Sequence, residues 1–120
     1  MTITISDLAH FNGSPTLSYD PFIGTKVNYT EGVRYLVHNG CHWLFVDIAS
    51  HLIANPVILK SYEEEQFIVI DFKKTEDGFD IEFSNDEGEV LAVEHRHTVA
   101  IDCNVKFFYI DNVLMIASEY

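Results

Sequence analysis

The sequence predicts an α+β domain in which two to three N-terminal helices pack on one face of an antiparallel five-stranded meander sheet. Two changes along the chain carry that prediction. Apolar residues recur at helical spacing in the first half, and from Val57 onward the period shifts to two, with turn signals at short intervals. The third observation is size. A chain of 120 residues that is 48% apolar, with 9 Phe, 6 Tyr and 1 Trp, has material for one core and is too short for two of ordinary size. No repeat, low-complexity tract or Pro/Gly/Ser linker divides it, so residues 1–120 are expected to form one domain.

The elements follow in order. Ser6 is placed to cap a short helix over Asp7–Phe11, which Asn12-Gly13-Ser14-Pro15 terminates. Thr16–Tyr19 reads as an edge strand. Asn28, three residues before Glu31, resembles a capping box, and Val33, Leu36 and Val37 give the next helix its apolar stripe. Asn39-Gly40 should turn the chain sharply. A longer helix covers His42–Ala54. At 100° per residue, Leu44, Phe45, Val46, Ile48, Ala49, Leu52 and Ile53 occupy well over half its circumference, and the remaining stripe is Trp43, Asp47, Ser50 and His51. Asn55-Pro56 ends this helix.

Strands are expected at about Gln66–Lys73, Phe79–Ser84, Val90–His97, Val105–Ile110 and Val113–Ser118. They are joined by turns at Glu76-Asp77-Gly78, Asp86-Glu87-Gly88 and Asp111-Asn112. Phe79, Ile81 and Phe83 alternate with Asp80, Glu82 and Ser84, which gives one buried and one wet face. Matching Ile68, Ile70 and Phe72 to that buried face puts Asp71, Lys73, Asp80, Glu82, Glu94 and Arg96 on the opposite, charged side. Phe45, Ile48, Leu52, Ile70, Ile81 and Phe107 should form the shared core.

Charge narrows the function classes. The formal net charge is -12, and residues 61–95 hold 12 of the 19 acidic side chains against two basic ones, Lys73 and Lys74. Such a field repels phosphate backbones, so no direct nucleic-acid binding is expected. Such an acidic surface first of all keeps a small protein soluble; a protein partner is also expected, a basic one among the candidates, and homo-oligomerisation is left open. Asp71, Asp80, Glu82 and Glu94 are the residues expected to meet that partner. No apolar run reaches the length of a membrane span, and the N-terminus has no export signal, so a cytoplasmic location is expected. Cys41 and Cys103 fit no C-x-x-C pattern and read as free thiols.

Four blocks of residues carry a family resemblance. Asp7-Leu8-x-x-Phe11-x-Gly13-Ser14, Tyr29-Thr30-Glu31-Gly32-Val33-Arg34-Tyr35-Leu36, Trp43-Leu44-x-x-Asp47-Ile48-Ala49-Ser50-His51 and Ser118-Glu119-Tyr120 resemble a family of small uncharacterised proteins of bacterial, plasmid and phage genomes, a domain of unknown function. Ala117 departs from the proline that usually precedes the last block. The resemblance implies a genomic setting and a fold unit and supplies no catalytic residue.

Among constellations that carry chemistry, the stripe Trp43, Asp47, Ser50, His51 is the first ligand-site candidate. Asp47 and His51 are i,i+4 neighbours beside a flat indole. A Ser-His-Asp triad is disfavoured, because Ser50 and His51 point about 100° apart on a helix. His95 and His97 form an i,i+2 pair on a strand, two metal ligands in search of a third, such as Cys103 or His51. Their parity with Leu91 and Val93 puts them at the end of the core face. Two ligands fall short of the four of a closed zinc site, so no structural metal is expected. His38, Cys41 and His42 are separated by the break at Gly40. No phosphate loop, H-E-x-x-H or nucleophile elbow is present, and no cofactor is expected. The sequence favours a non-enzymatic accessory protein that binds another protein through its acidic meander or its C-terminal strand. The alternative is a small enzyme or ligand-binding domain centred on Trp43, Asp47 and His51, and exposure of that stripe around a hollow would favour it.

Overall fold

The computed structural model describes residues 17–21, 23–97 and 103–120. The expected Asp7–Phe11 helix lies outside them. Strand β1 (Ser18–Tyr19) and strand β2 (Asn28–Tyr29) precede helix α1 (Glu31–Leu36), the turn Val37–Cys41, helix α2 (His42–Ala54) and helix α3 (Pro56–Glu65). Strands β3 (Phe67–Lys74), β4 (Phe79–Ser84), β5 (Val90–Arg96), β6 (Val105–Ile110) and β7 (Val113–Ile116) follow. The α+β class is as the sequence predicts.

The sheet departs from a simple meander. Its order is β1-β2-β7-β6-β3-β4-β5, seven strands in all. The five predicted strands are present and pair antiparallel. After β5, however, the chain crosses to the far side of β3 to lay down β6. Beyond β7 the sheet gains β2, in parallel register, and then β1. The predicted edge strand Thr16–Tyr19 is represented by β1, which does lie at the sheet edge.

Helix α3 is the element that the sequence reading misses. Asn55-Pro56 ends α2 and also begins α3: the Asn55 side chain accepts from the Val57 and Ile58 amides, and Pro56 occupies the first turn, where its missing N–H costs nothing. Gln66, at φ 58°, stops the helix. Ile58 is fully buried, and Tyr62 ties α3 to the β6–β7 turn by donating to Asn112 Oδ1 and accepting from the Asn112 amide. That turn has φ of 52° and 60° at Asp111 and Asn112, the backbone of a two-residue hairpin. Asn28 does not cap α1, as the capping-box pattern suggests; it sits in β2, and Thr30 is the N-cap. Gly40, at φ 92°, makes the bend between α1 and α2.

The buried apolar side chains form one cluster between the helices and the inner sheet face. All six predicted core residues, Phe45, Ile48, Leu52, Ile70, Ile81 and Phe107, belong to it. No single helix among the described residues is long and apolar enough to cross a membrane.

Candidate functional site

The polar stripe of α2 faces the edge strand β5, because β5 has the opposite phase to the one its apolar residues suggest. Ile81 pairs with Glu94, Phe79 with Arg96, Glu82 with Val93 and Asp80 with His95. Glu94 and Arg96 therefore share the inner face with the core, whereas Val93 and His95 lie on the outer face. This corrects the expected placement of all four residues. A register irregularity at Phe83/Ser84 falls next to Leu91, so the alternation of Leu91 and Val93 misreports the inner face. What makes a charged inner face tolerable is the stripe opposite it. Asp47 Oδ2 forms an ion pair with Arg96 Nη2, the Arg96 guanidinium lies over the Trp43 ring at 5.5 Å, and His51 Nε2 stands 3.4 Å from Glu94 Oε2. Asp47 and His51 thus reach across to β5, and the His51 ring packs on Phe83. Ser50 donates to the Val46 carbonyl of its own helix, so the stripe assembles no triad. With the Asp47 side chain 18% exposed, these residues are taken up by contacts within the fold.

The four carboxylates expected to meet a partner are divided between two faces. Glu94 lies inside, and the other three lie outside beside basic side chains: Asp71 is 3.9 Å from Lys106, Glu82 is 3.2 Å from Lys73, and Asp80 is 2.7 Å from the His95 imidazole. The hydrogen bond to Asp80 is the main cause that raises the His95 pKa; desolvation opposes it, and the charges of Asp77 and Asp80 add to the rise. His97 Nδ1 is 3.1 Å from the Asp77 carbonyl, and Asp77 is the third group beside the two histidines. His51 is turned to Glu94, on the other face of the sheet. His38, Cys41 and His42 do not converge: His42 pairs with Asp20, and Cys41 is a buried free thiol whose pKa burial pushes up to about 11.

A second acidic cluster lies elsewhere. A groove of about 570 Å³ runs between α3 and the β4–β5 turn, with Glu64, Glu65 and Glu89 among its lining and Lys60 as its basic side chain. Asn85 shapes the turn by accepting from the Glu87 and Glu89 amides, and Glu65 clips it to α3 by accepting from the Asp86 amide. Val57, which lines the groove, and Val90, next to Glu89, are each about half exposed, at 54% and 51%. Strand β5 closes the sheet and pairs with no strand but β4 among the described residues. The acid-rich composition of residues 61–95 signals this region, but locating the groove requires α3.

Two of the blocks that carry the resemblance meet in space. Glu119 receives the Thr30 hydroxyl at 2.5 Å and the Gly32 amide at 3.2 Å, so a carboxylate from the C-terminus caps α1. Gly32 leaves room for it, since a Cβ there would stand 2.5 Å from Glu119 Oε1. The chain belongs to a family of unknown function, DUF6876, whose model matches residues 2–120. No curated protein and no solved structure matches it. Family membership brings no assigned activity, so the functional reading rests on the geometry.

Proposed function

We propose that this is a non-enzymatic, acidic accessory protein of a bacterial or mobile-element genome that acts by binding a basic segment of another protein. The observation that carries the proposal is the groove between α3 and the β4–β5 turn, where Glu64, Glu65 and Glu89 outnumber Lys60 and Val57 offers apolar contact. A basic segment with interspersed aliphatic side chains complements both properties. Pairing of Asp47 and His51 with Arg96 and Glu94 supports binding over catalysis, because it occupies the groups that an enzyme would keep free for substrate. On the outer sheet face, Asp71, Asp80 and Glu82 supply weaker attraction, each having a lysine or histidine side chain beside it.

A pull-down from the native host separates the surfaces. The triple reversal Glu64→Lys, Glu65→Lys, Glu89→Lys should lose a partner that wild type captures, while Asp80→Lys with Glu82→Lys and, separately, Trp43→Ala should keep it. Retention by the groove reversal would refute the proposal. Loss on Trp43→Ala in a folded protein would move the site to the α2 stripe.

A further inference from the structure

The pair His95 and His97 acquires a third ligand from the fold. A Cβ on Gly78 would stand 1.8 Å from the Arg96 carbonyl oxygen, so only glycine lets the β3–β4 hairpin close onto the end of β5, backbone against backbone. That closure carries Asp77 to the two imidazoles. His95 Nε2 lies 3.4 Å from Asp77 Oδ1, the two histidine rings sit edge to face with centroids 4.7 Å apart, and one ligand atom from each of the three residues lies within 4.8 Å of the others. Two ligands bound at about 2.05 Å to a tetrahedral Zn²⁺ stand about 3.3 Å apart, close to the His95–Asp77 separation. A ring nitrogen of the exposed His97 lies within 4.8 Å of the other two ligand atoms, so His97 moves inward to complete the set.

The surrounding hydrogen bonds prepare both imidazoles for metal. His95 Nδ1 is 2.7 Å from Asp80 Oδ1, and His97 Nδ1 is 3.1 Å from the Asp77 carbonyl oxygen. An acceptor at Nδ1 keeps the proton there and leaves the Nε2 lone pair facing outward, the arrangement by which carboxylates and carbonyls orient metal-binding histidines. We propose that Asp77, His95 and His97 bind one divalent transition-metal ion of the zinc class, with Asp80 as a positioning residue. Two imidazoles and one carboxylate suit Zn²⁺ better than Mg²⁺ or Ca²⁺, which take oxygen ligands. Three protein ligands leave a coordination position open. The site fastens the β3–β4 hairpin to the end of β5.

Calorimetric titration of the full chain with ZnCl₂, and in parallel with MgCl₂, tests the proposal. One equivalent of Zn²⁺ should bind, with no saturable Mg²⁺ binding. His95→Ala, His97→Ala and Asp77→Asn should each weaken the affinity by at least about tenfold, and Asp80→Asn by about 10- to 100-fold, while Asp86→Asn leaves it unchanged. Nitrogen NMR of the wild-type imidazoles gives a readout independent of the variants: Zn²⁺ should shift Nε2 of both His95 and His97. Absence of saturable Zn²⁺ binding, binding that survives His95→Ala or His97→Ala, or shifts confined to other histidines would overturn it.

Discussion

Two polar junctions flank the edge strand β5, and they differ in how their charges are resolved. Where α2 meets β5, Asp47 is matched by Arg96, and His51 stands beside Glu94, whose Oε2 is buried without a hydrogen bond, with Trp43 and Phe83 flanking these contacts. Where α3 meets the β4–β5 turn, Glu64, Glu65 and Glu89 line an open groove with Lys60. The first junction uses charge to hold the fold together, because a charge withdrawn from water needs a partner. The second leaves charge in water, where it costs the fold little and attracts an opposite surface. Stability and binding should therefore separate by junction.

The largest stability effect belongs beneath the first junction. Ile48 is buried on the inner side of α2, and Ile48→Ala should cost about 2–5 kcal/mol in denaturant unfolding. A loss below about 0.5 kcal/mol would show that α2 does not present that face to the core. Asp47→Ala comes next. A fully buried pair broken on one side costs about 3–5 kcal/mol, and the partial exposure of Asp47 and Arg96 reduces the expectation to about 1–2 kcal/mol. Because Arg96 Nε is buried without a hydrogen bond, the pair is an imperfect one. The double change Asp47→Leu with Arg96→Met should recover most of the loss, and a double-mutant cycle measures the coupling.

How far the sequence reveals these junctions follows from what fixes each element. The face of α2 is legible because thirteen residues at a 3.6-residue period leave little freedom of phase. β5 is misread because a strand's phase rests on period two alone, and a single irregularity at Phe83/Ser84 inverts it. The stripe Trp43, Asp47, His51 is therefore visible as a polar face, but its partners Glu94 and Arg96 appear on the wrong side of the sheet. α3 is missed because Asn55-Pro56 serves as both a stop and a start, and Val57-Ile58-Leu59 reads equally as the beginning of a strand. The groove and the Asp77 ligand both depend on tertiary closure. They become visible only once α3 and the hairpin at Gly78 are in place.

A smaller effect is expected at Cys41. With its thiol raised from 9.0 to about 11, it stays protonated and resists alkylation in the native protein near neutral pH. The sign of the linkage follows: the folded state holds this proton more tightly than the unfolded chain, so the contribution to stability is complete below about pH 9 and is lost as pH rises toward 11. Rapid labelling of Cys41 by iodoacetamide at pH 7.5, without unfolding, would contradict its burial. The smallest stability changes should come from the second junction. Glu64→Lys and Glu89→Lys should each alter unfolding free energy by no more than about 0.5 kcal/mol, whereas Glu65→Lys, which loses the bond from the Asp86 amide, should cost about 1 kcal/mol.

The most direct test of the groove is an amide NMR titration of the full chain with a peptide of alternating lysine and leucine at low and at high salt. Shifts should concentrate over residues 57–65 and 85–91, weaken as salt rises and be absent from the triple groove reversal, whose spectrum otherwise remains that of a folded protein. Shifts centred on Asp80 and Glu82, or on Trp43, Asp47 and His51, or binding equally strong in the triple reversal, would contradict the groove as the binding site.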